Sequence, residues 1–422
     1  MKIVNIPFGD LNPALALAAL AVVVFPMITD PCAAAEAVTE IKNSGQPSDG
    51  LRTLELEETW RIGGPEDEEN LLGVIDKVLV DADGSTYLMD IQLNEVQVFS
   101  TDGEYLRTFG KEGDGPGEVR RLSDTLFLPD GNLGLIQAFP GRIIMLDMKG
   151  LPAGEFRLGA ENPAAGGMFA LETAAVSGDR MVLGGRRMSR TNDGRTATHF
   201  IARYDLDGNE YEVFYEATSE RNFSSGQIRE ADNFSPISGA WALDTAGRVI
   251  VATKRNEYRL EVFLPDGSPD LVFTRPYESW RRSAEEIARM KESALPFRRR
   301  NRAAPEFVVE PTEKDILQVR TTTDGRIWVL PSRGIREQPA GIHSTWDVFE
   351  ADGRFVQQVA IQCGGRGLKD ALFFAGEDIV VLVKEHADAM AAFRGRGGDD
   401  SSEGGIDDDA QPLEIIHFRV RP

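Results

Sequence analysis

Residues 77–110 read KVLVDADGSTYLMDIQLNEVQVFSTDGEYLRTFG, and this stretch decides the fold. Short runs rich in Val, Leu, Tyr and Phe (Lys77–Val80, Thr86–Met89, Glu95–Phe99) alternate or concentrate apolar residues as strands do. The turns Asp83-Gly84 and Asp102-Gly103 separate them, and Asp-Gly suits a tight hairpin because its residues tolerate positive φ. The first turn then recurs at Asp130-Gly131, Gly178-Asp179, Ala246-Gly247, Asp324-Gly325 and Gly376-Glu377. A second turn follows 19 residues after the first in the opening two units, from Gly84 to Gly103 and from Gly131 to Gly150. Later second turns fall at Asp207-Gly208, Asp266-Gly267 and Asp352-Gly353.

Each unit therefore reads strand, tight turn, strand, longer connection, strand, tight turn, strand. Repeats of this length mean a solenoid or a propeller, and a four-stranded antiparallel meander repeated radially makes a propeller. The expected fold is all-β, a six-bladed β-propeller spanning residues 51–422. First turns are spaced 47, 47, 69, 78 and 51 residues apart, so the later units carry insertions that must lie in loops. The sixth unit ends at Pro422 after Leu413–Val420, one strand short, while Leu51–Ile62 precedes the first unit. An N-terminal strand closing the last blade would remove the exposed edges of an open sheet.

Asp81–Asp90, Val96–Gly103 and Leu106–Glu118 together resemble the NHL repeat, and the chain as a whole is similar to exported bacterial six-bladed β-propeller proteins. The first two blades carry that resemblance, and the others match it in turns and strand pattern. It implies a ring with a ligand-binding face, in a family whose members range from interaction modules to enzymes.

Residues 1–35 read as an export signal: Lys2, an apolar stretch from Ala14 to Phe25 too short for a comfortable membrane span, and Ala33-Ala34-Ala35 before Glu36. Pro31 and Thr29 around Cys32 do not suit a lipoprotein signal. Cleavage would leave Cys363 as the one cysteine, hence no internal disulfide, and a mature net charge of about −21 against −22 for the whole chain. That charge argues against a nucleic-acid partner. The expectation is a monomeric periplasmic or secreted protein without a membrane span after cleavage, with residues 36–50 as a flexible linker.

Chain direction puts the two tight turns of each blade on one face, which is acidic (Asp81, Asp83, Asp130, Asp205, Asp324, Asp352), and the longer connections on the other. The latter carry Arg120, Arg121, Arg142, Arg186, Arg187, Arg190, Arg195, Arg255, Arg259, Arg298–Arg300, Arg302, Arg333, Arg336, Arg366, Arg394 and Arg396. Guanidinium groups gathered on one face suit an anion, because Arg pairs bidentately with carboxylate or phosphate. The candidate ligand-binding residues are Arg120, Arg121, Arg142, Arg186, Arg187, Arg255, Arg259, Arg333, Arg336 and Arg366. With 36 Arg against 10 Lys, however, arginine is also the default cation here.

The largest insertion, residues 277–315, contains a capping box, Ser283 with Glu286, and a narrow apolar stripe, Ala284, Ile287, Ala288 and Met290, ending before Pro296. It reads as a small helix that either lids the channel or packs on neighbouring loops. Residues 386–411 read as an acidic glycine-rich loop, with Asp399, Asp400, Glu403 and Asp407–Asp409 suiting at most weak Ca²⁺. Gly110–Gly117 lacks the Lys-Ser/Thr ending of a phosphate loop and reads as a blade-to-blade linker.

The four histidines, His199, His343, His386 and His417, show no metal-ligand spacing, but propellers can gather ligands from different blades at the axis. The leading expectation is a non-catalytic scaffold, without a catalytic residue or resident cofactor, binding a protein, peptide or glycan on its arginine-bearing face. The alternative is a metal-dependent hydrolase or lyase, with Ca²⁺ or Zn²⁺ in the channel, similar to propeller lactonases or to zinc lyases of peptidyl hydroxyglycine.

Overall fold

The computed structural model describes residues 38–65, 67, 72–158, 168–222, 226–293, 306–396 and 412–421. The leader over 1–35 with Cys32, the Arg298–Arg302 run, Pro296 and the acidic tract 399–409 lie outside the described residues.

Strands β1 (Thr39–Lys42) and β2 (Leu51–Gly63) come first, followed by six blades in chain order, the last two joined through β2. Blade one is β3–β6 (Ile75–Val80, Thr86–Asp90, Glu95–Phe99, Tyr105–Phe109), and blade two is β7–β10 (Leu122–Phe127, Leu133–Gln137, Arg142–Leu146, Pro152–Arg157). Blade three is β11–β14 (Met168–Ser177, Arg180–Arg190, Gly194–Tyr204, Glu210–Asn222). After β15 (Gln227–Arg229), blade four is β16–β19 (Trp241–Leu243, Val249–Val251, Arg259–Phe263, Pro269–Thr274). Helix α1 (Ala284–Ser293) and β20 (Glu306–Val308) precede blade five, β21–β24 (Ile316–Thr321, Ile327–Pro331, Ile342–Phe349, Phe355–Gln362). Blade six is β25–β27 (Ala371–Phe374, Ile379–Lys384, Glu414–Val420), with helix α2 (His386–Arg396) before its last strand.

The paired turns form as their chemistry requires. Asp81 Oδ1 accepts the backbone N–H groups of Asp83 (3.0 Å) and Ser85 (2.8 Å), while Gly84 takes a φ of +84°. Asp205 repeats the motif with Asp207 and Asn209. In blade four, where Ala246 stands in the place of Asp83, Asp244 keeps the role of Asp81 and accepts from Arg248 N–H (2.8 Å). These carboxylates thus serve their own turns.

Closure follows from β2. Its second half, Leu56–Gly63, pairs antiparallel with β27 and becomes the fourth strand of blade six. Its first half, Leu51–Glu55, adds parallel to β24 of blade five. β1 adds parallel to β19 of blade four, and Asn43 between them donates to Gly353 O (2.8 Å) and accepts from Phe355 N–H (2.8 Å). Residues 36–50 are thus not a flexible linker throughout, because the open backbone edge of β19 captures a four-residue segment too short to announce itself as a strand. Among the described residues the apolar side chains fall into six clusters, one between each pair of consecutive blades. The cluster between blades six and one joins Trp60 and Ile62 of β2 to Ile75, Leu88 and Phe99, so the ring is closed by packing as well as by hydrogen bonds.

Candidate functional site

First strands of consecutive blades touch one another, β3 with β7, β7 with β11, β11 with β16, and β25 with β3, so they line the central channel. A cavity of about 560 Å³ occupies it, lined by Asp76, Asp124, Glu172, Gln318 and residues of every blade. Lys77 Nζ lies 2.5 Å from Asp124 Oδ1, while Asp124 Oδ2 accepts Ala174 N–H (2.8 Å), so one buried carboxylate ties blades one, two and three together. Asp76 is reachable by water within the channel yet walled by protein. Burial, then the Asp124 charge, pushes its carboxyl up to about 6.

His386, at the start of α2, brings Nε2 to 3.8 Å from Asp76 Oδ1, and burial holds its pKa below the ordinary value. Ala389, Met390 and Phe393 of α2 pack on the cluster between blades one and two. The helix facing the axial cavity is therefore α2, which lies within residues expected to be a loop, whereas α1 contributes nothing to that cavity. Its sequence signal was the alanine-rich run Ala387-Asp-Ala-Met-Ala-Ala-Phe393, whose residues favour a helix, beside a tract whose acidity dominated the reading. His343 also lines the channel, with Nε2 on Asp370 O (3.2 Å). The other two histidines do not join it. His417 stacks on Trp60 (ring centroids 4.5 Å apart) in the outer strands, and His199 is buried beside Arg186. Among the described residues no three His, Cys, Asp or Glu side chains form a metal-holding group.

The long insertions meet on the loop face. β15, from the connection leaving blade three, pairs parallel with β20 from the insertion after blade four. The expected capping box starts α1: Ser283 N–H donates to Glu286 Oε2 (2.7 Å) and Glu286 N–H to Ser283 Oγ (3.1 Å). Arg336 of blade five fixes this helix by an ion pair to Glu286 (2.5 Å) and lies over Trp280. Between this assembly and blades three and four is a cleft of about 590 Å³ lined by apolar residues (Ile228, Phe234, Met290, Phe307) and cations (Arg195, Arg221, Arg255, Arg282, Lys314), with Glu230 and Glu313 among them. Ser238 borders both cleft and channel.

Most of the candidate arginines are already paired. Arg120 meets Asp114 (3.1 Å), Arg142 meets Glu155 (3.1 Å), and Arg259 meets Glu261 (3.1 Å). Arg186 pairs with Glu172, and Arg187 with Glu210 and Glu216 while lying over Phe200. Arg255 binds Glu230 (2.8 Å), Arg333 meets Glu278 (3.4 Å), and Arg366 pairs with Glu385. Arg121 is exposed and makes no ion pair among the described residues. Of the ten, only Arg255 lines the cleft. Arg195, Arg221, Arg282 and Lys314 complete its set of cations. Lys314 escaped notice because a lone lysine between Glu313 and Asp315 gives no local signal, and Arg282, beside Arg281, because that pair lies apart from the arginine runs of the long connections. Cys363 is half-buried, and burial pushes its thiol up to about 11, far from a nucleophile.

Six meanders around a polar channel, closed by an N-terminal strand, define a six-bladed β-propeller. A family model described as a 6-bladed beta-propeller matches residues 66–235, from the approach to blade one through blade three. In fold the chain is similar to a Bacteroides fragilis protein described as exported (12% identity, covering 92% of this chain and 100% of that one, TM-score 0.47). It is also similar to a Bacteroides vulgatus protein (12%, 87% and 99%, 0.48) and to virginiamycin B lyase from Staphylococcus aureus (11%, 79% and 82%, 0.39). No curated protein matches the sequence.

Proposed function

We propose that this chain is an exported, non-catalytic binding propeller that receives a protein, peptide or glycan on its loop face, in the cleft between blades three and four and the α1 insertion. The cleft itself carries this reading: apolar and cationic side chains line one cleft on loops held by a rigid ring, the setting in which scaffolds place binding sites. The leader-like first 35 residues support export. Of the arginines first singled out, Arg255 lines the cleft, and the others serve mainly to hold the surrounding loops in place.

The test uses Ser238→Trp, which adds bulk where the cleft borders the channel, at a residue whose side chain is exposed. Partners co-purified from the native cell envelope with the unmodified chain are identified, and their affinities for both forms are measured. A large loss with Ser238→Trp is expected, and an unchanged affinity would place the ligand elsewhere.

A second reading, a metal-dependent hydrolase or lyase working in the channel, is favoured by Asp76, whose carboxyl at about 6 beside His386 suits proton transfer. Elemental analysis of protein purified from its native envelope decides it: stoichiometric Zn²⁺ or Ca²⁺ lost in Asp76→Asn would support the enzyme, and its absence would sink it.

A further inference from the structure

The cleft's charges do not cancel. Glu230 is consumed by Arg255 (2.8 Å), by Arg282 (2.6 Å) and by Glu310 N–H (2.9 Å). Glu313 is shared between Arg282 (3.0 Å) and Arg336 (3.4 Å). Leaving Arg221 aside, four lining cations (Arg195, Arg255, Arg282, Lys314) face these two carboxylates, a surplus of two positive charges in a chain whose net charge is −22.

The surplus belongs to Arg195 and Lys314, neither of which forms an ion pair among the described residues. The backbone N–H of Lys314 donates to Glu313 (3.0 Å), but the half-buried side chain makes no salt bridge among the described residues. Burial, partly offset by Glu313 and reinforced by Arg255, holds its pKa below the ordinary value. Arg195 sits opposite Arg221 across the β13–β14 ladder and near Arg186; burial first, then these two like charges, lowers its pKa. A half-buried cation cluster of this kind is an unfavourable arrangement until an anion enters it. Ile228, Phe234, Met290 and Phe307 line the same cleft and give it an apolar part.

We propose that Arg195 and Lys314 make this cleft a receptor for the carboxylate of an organic acid with an apolar or aromatic body, the chemistry presented by the free C-terminus of a peptide ending in such a residue. Arg195 offers the planar fork that matches a carboxylate bidentately, Lys314 a second donor, and the apolar part takes the adjoining side chain. This rests on the loop-face reading and gives it a chemical class of ligand.

The experiment is calorimetric titration of the full chain with N-acetylphenylalanine, with its primary amide, with a tripeptide ending in phenylalanine, and with inorganic phosphate. Both carboxylates are expected to bind about tenfold or more tighter than the amide, since the charge-assisted pair is lost in the amide. Arg195→Gln and Lys314→Met should each remove about tenfold of that preference. The tripeptide binding much more tightly than the single residue identifies a peptide terminus as the source; equal binding identifies a small acid. Binding of phosphate alone, equal binding of acid and amide, or no binding overturns the proposal. None of these outcomes bears on the partner captured from the envelope, so the broader loop-face reading stands or falls separately.

Discussion

Asp347, between blades four and five, is a position at which the ring should tolerate substitution poorly. This aspartate of β23 is fully buried and accepts from Arg275 Nε (2.9 Å) and Nη2 (2.5 Å), from Tyr258 Oη (2.6 Å) and from Gln358 Nε2 (2.8 Å). Arg275 in turn lies 4.3 Å over the Tyr258 ring with only 9% of its side chain exposed. In Asp347→Ala the guanidinium stays buried with no counter-charge and the tyrosine hydroxyl loses its acceptor, and removing one partner of such a pair costs about 3–5 kcal/mol. At roughly 2 °C of Tm per kcal/mol for a chain above the 250-residue class, this is a fall of about 6–10 °C by scanning calorimetry.

The double variant Arg275→Met, Asp347→Leu removes both charges at once. It should recover most of the loss, because replacing a buried pair by apolar groups is often neutral. The reasoning is refuted if Asp347→Ala costs under about 1 kcal/mol, or if the double variant is as damaged as the two single changes added together.

Trp60→Ala deletes the side chain that joins β2 to blade one, stacked on His417 and 6.1 Å from Phe99; a loss of about 3–5 kcal/mol is expected, with faster proteolysis within residues 51–63, and intact resistance would show that closure rests elsewhere. His199 and His417 are both held near pKa 4 by burial, with Arg186 and Arg419 respectively adding to it, whereas the unfolded chain takes these protons near 6.5. The unfolded state thus binds more protons, so stability holds above pH 6.5 and declines as pH falls towards 4, by on the order of 3 kcal/mol per histidine. Urea midpoints at pH 7 and 4.5 measure it, and a slope unchanged in His199→Gln, His417→Gln would show these residues are not responsible.

The blade count was legible because each tight turn is a local event: Asp81 and Gly84 are three residues apart, and the turn's chemistry is written in that interval. Closure was legible for a related reason, since one blade lacked a strand and one strand lacked a blade. β1 was not, because four residues become a strand only when the outer edge of β19 is already present.

The arginine face shows the limit more sharply. Topology alone places a residue on a face, so the sequence could gather the arginines there. Pairing needs distances between blades, and the partners are remote in sequence: Glu230 with Arg255, Glu278 with Arg333, Glu286 with Arg336. These cations that looked available in the chain are therefore structural in the ring. What can distinguish a binding site from a well-packed loop is the charge still unmatched after those pairs form, and it remains on Arg195 and on Lys314, a residue with no arginine beside it in sequence. A charge run is thus a poor guide to function in this fold, and an isolated cation whose neighbours have all found partners is a better one.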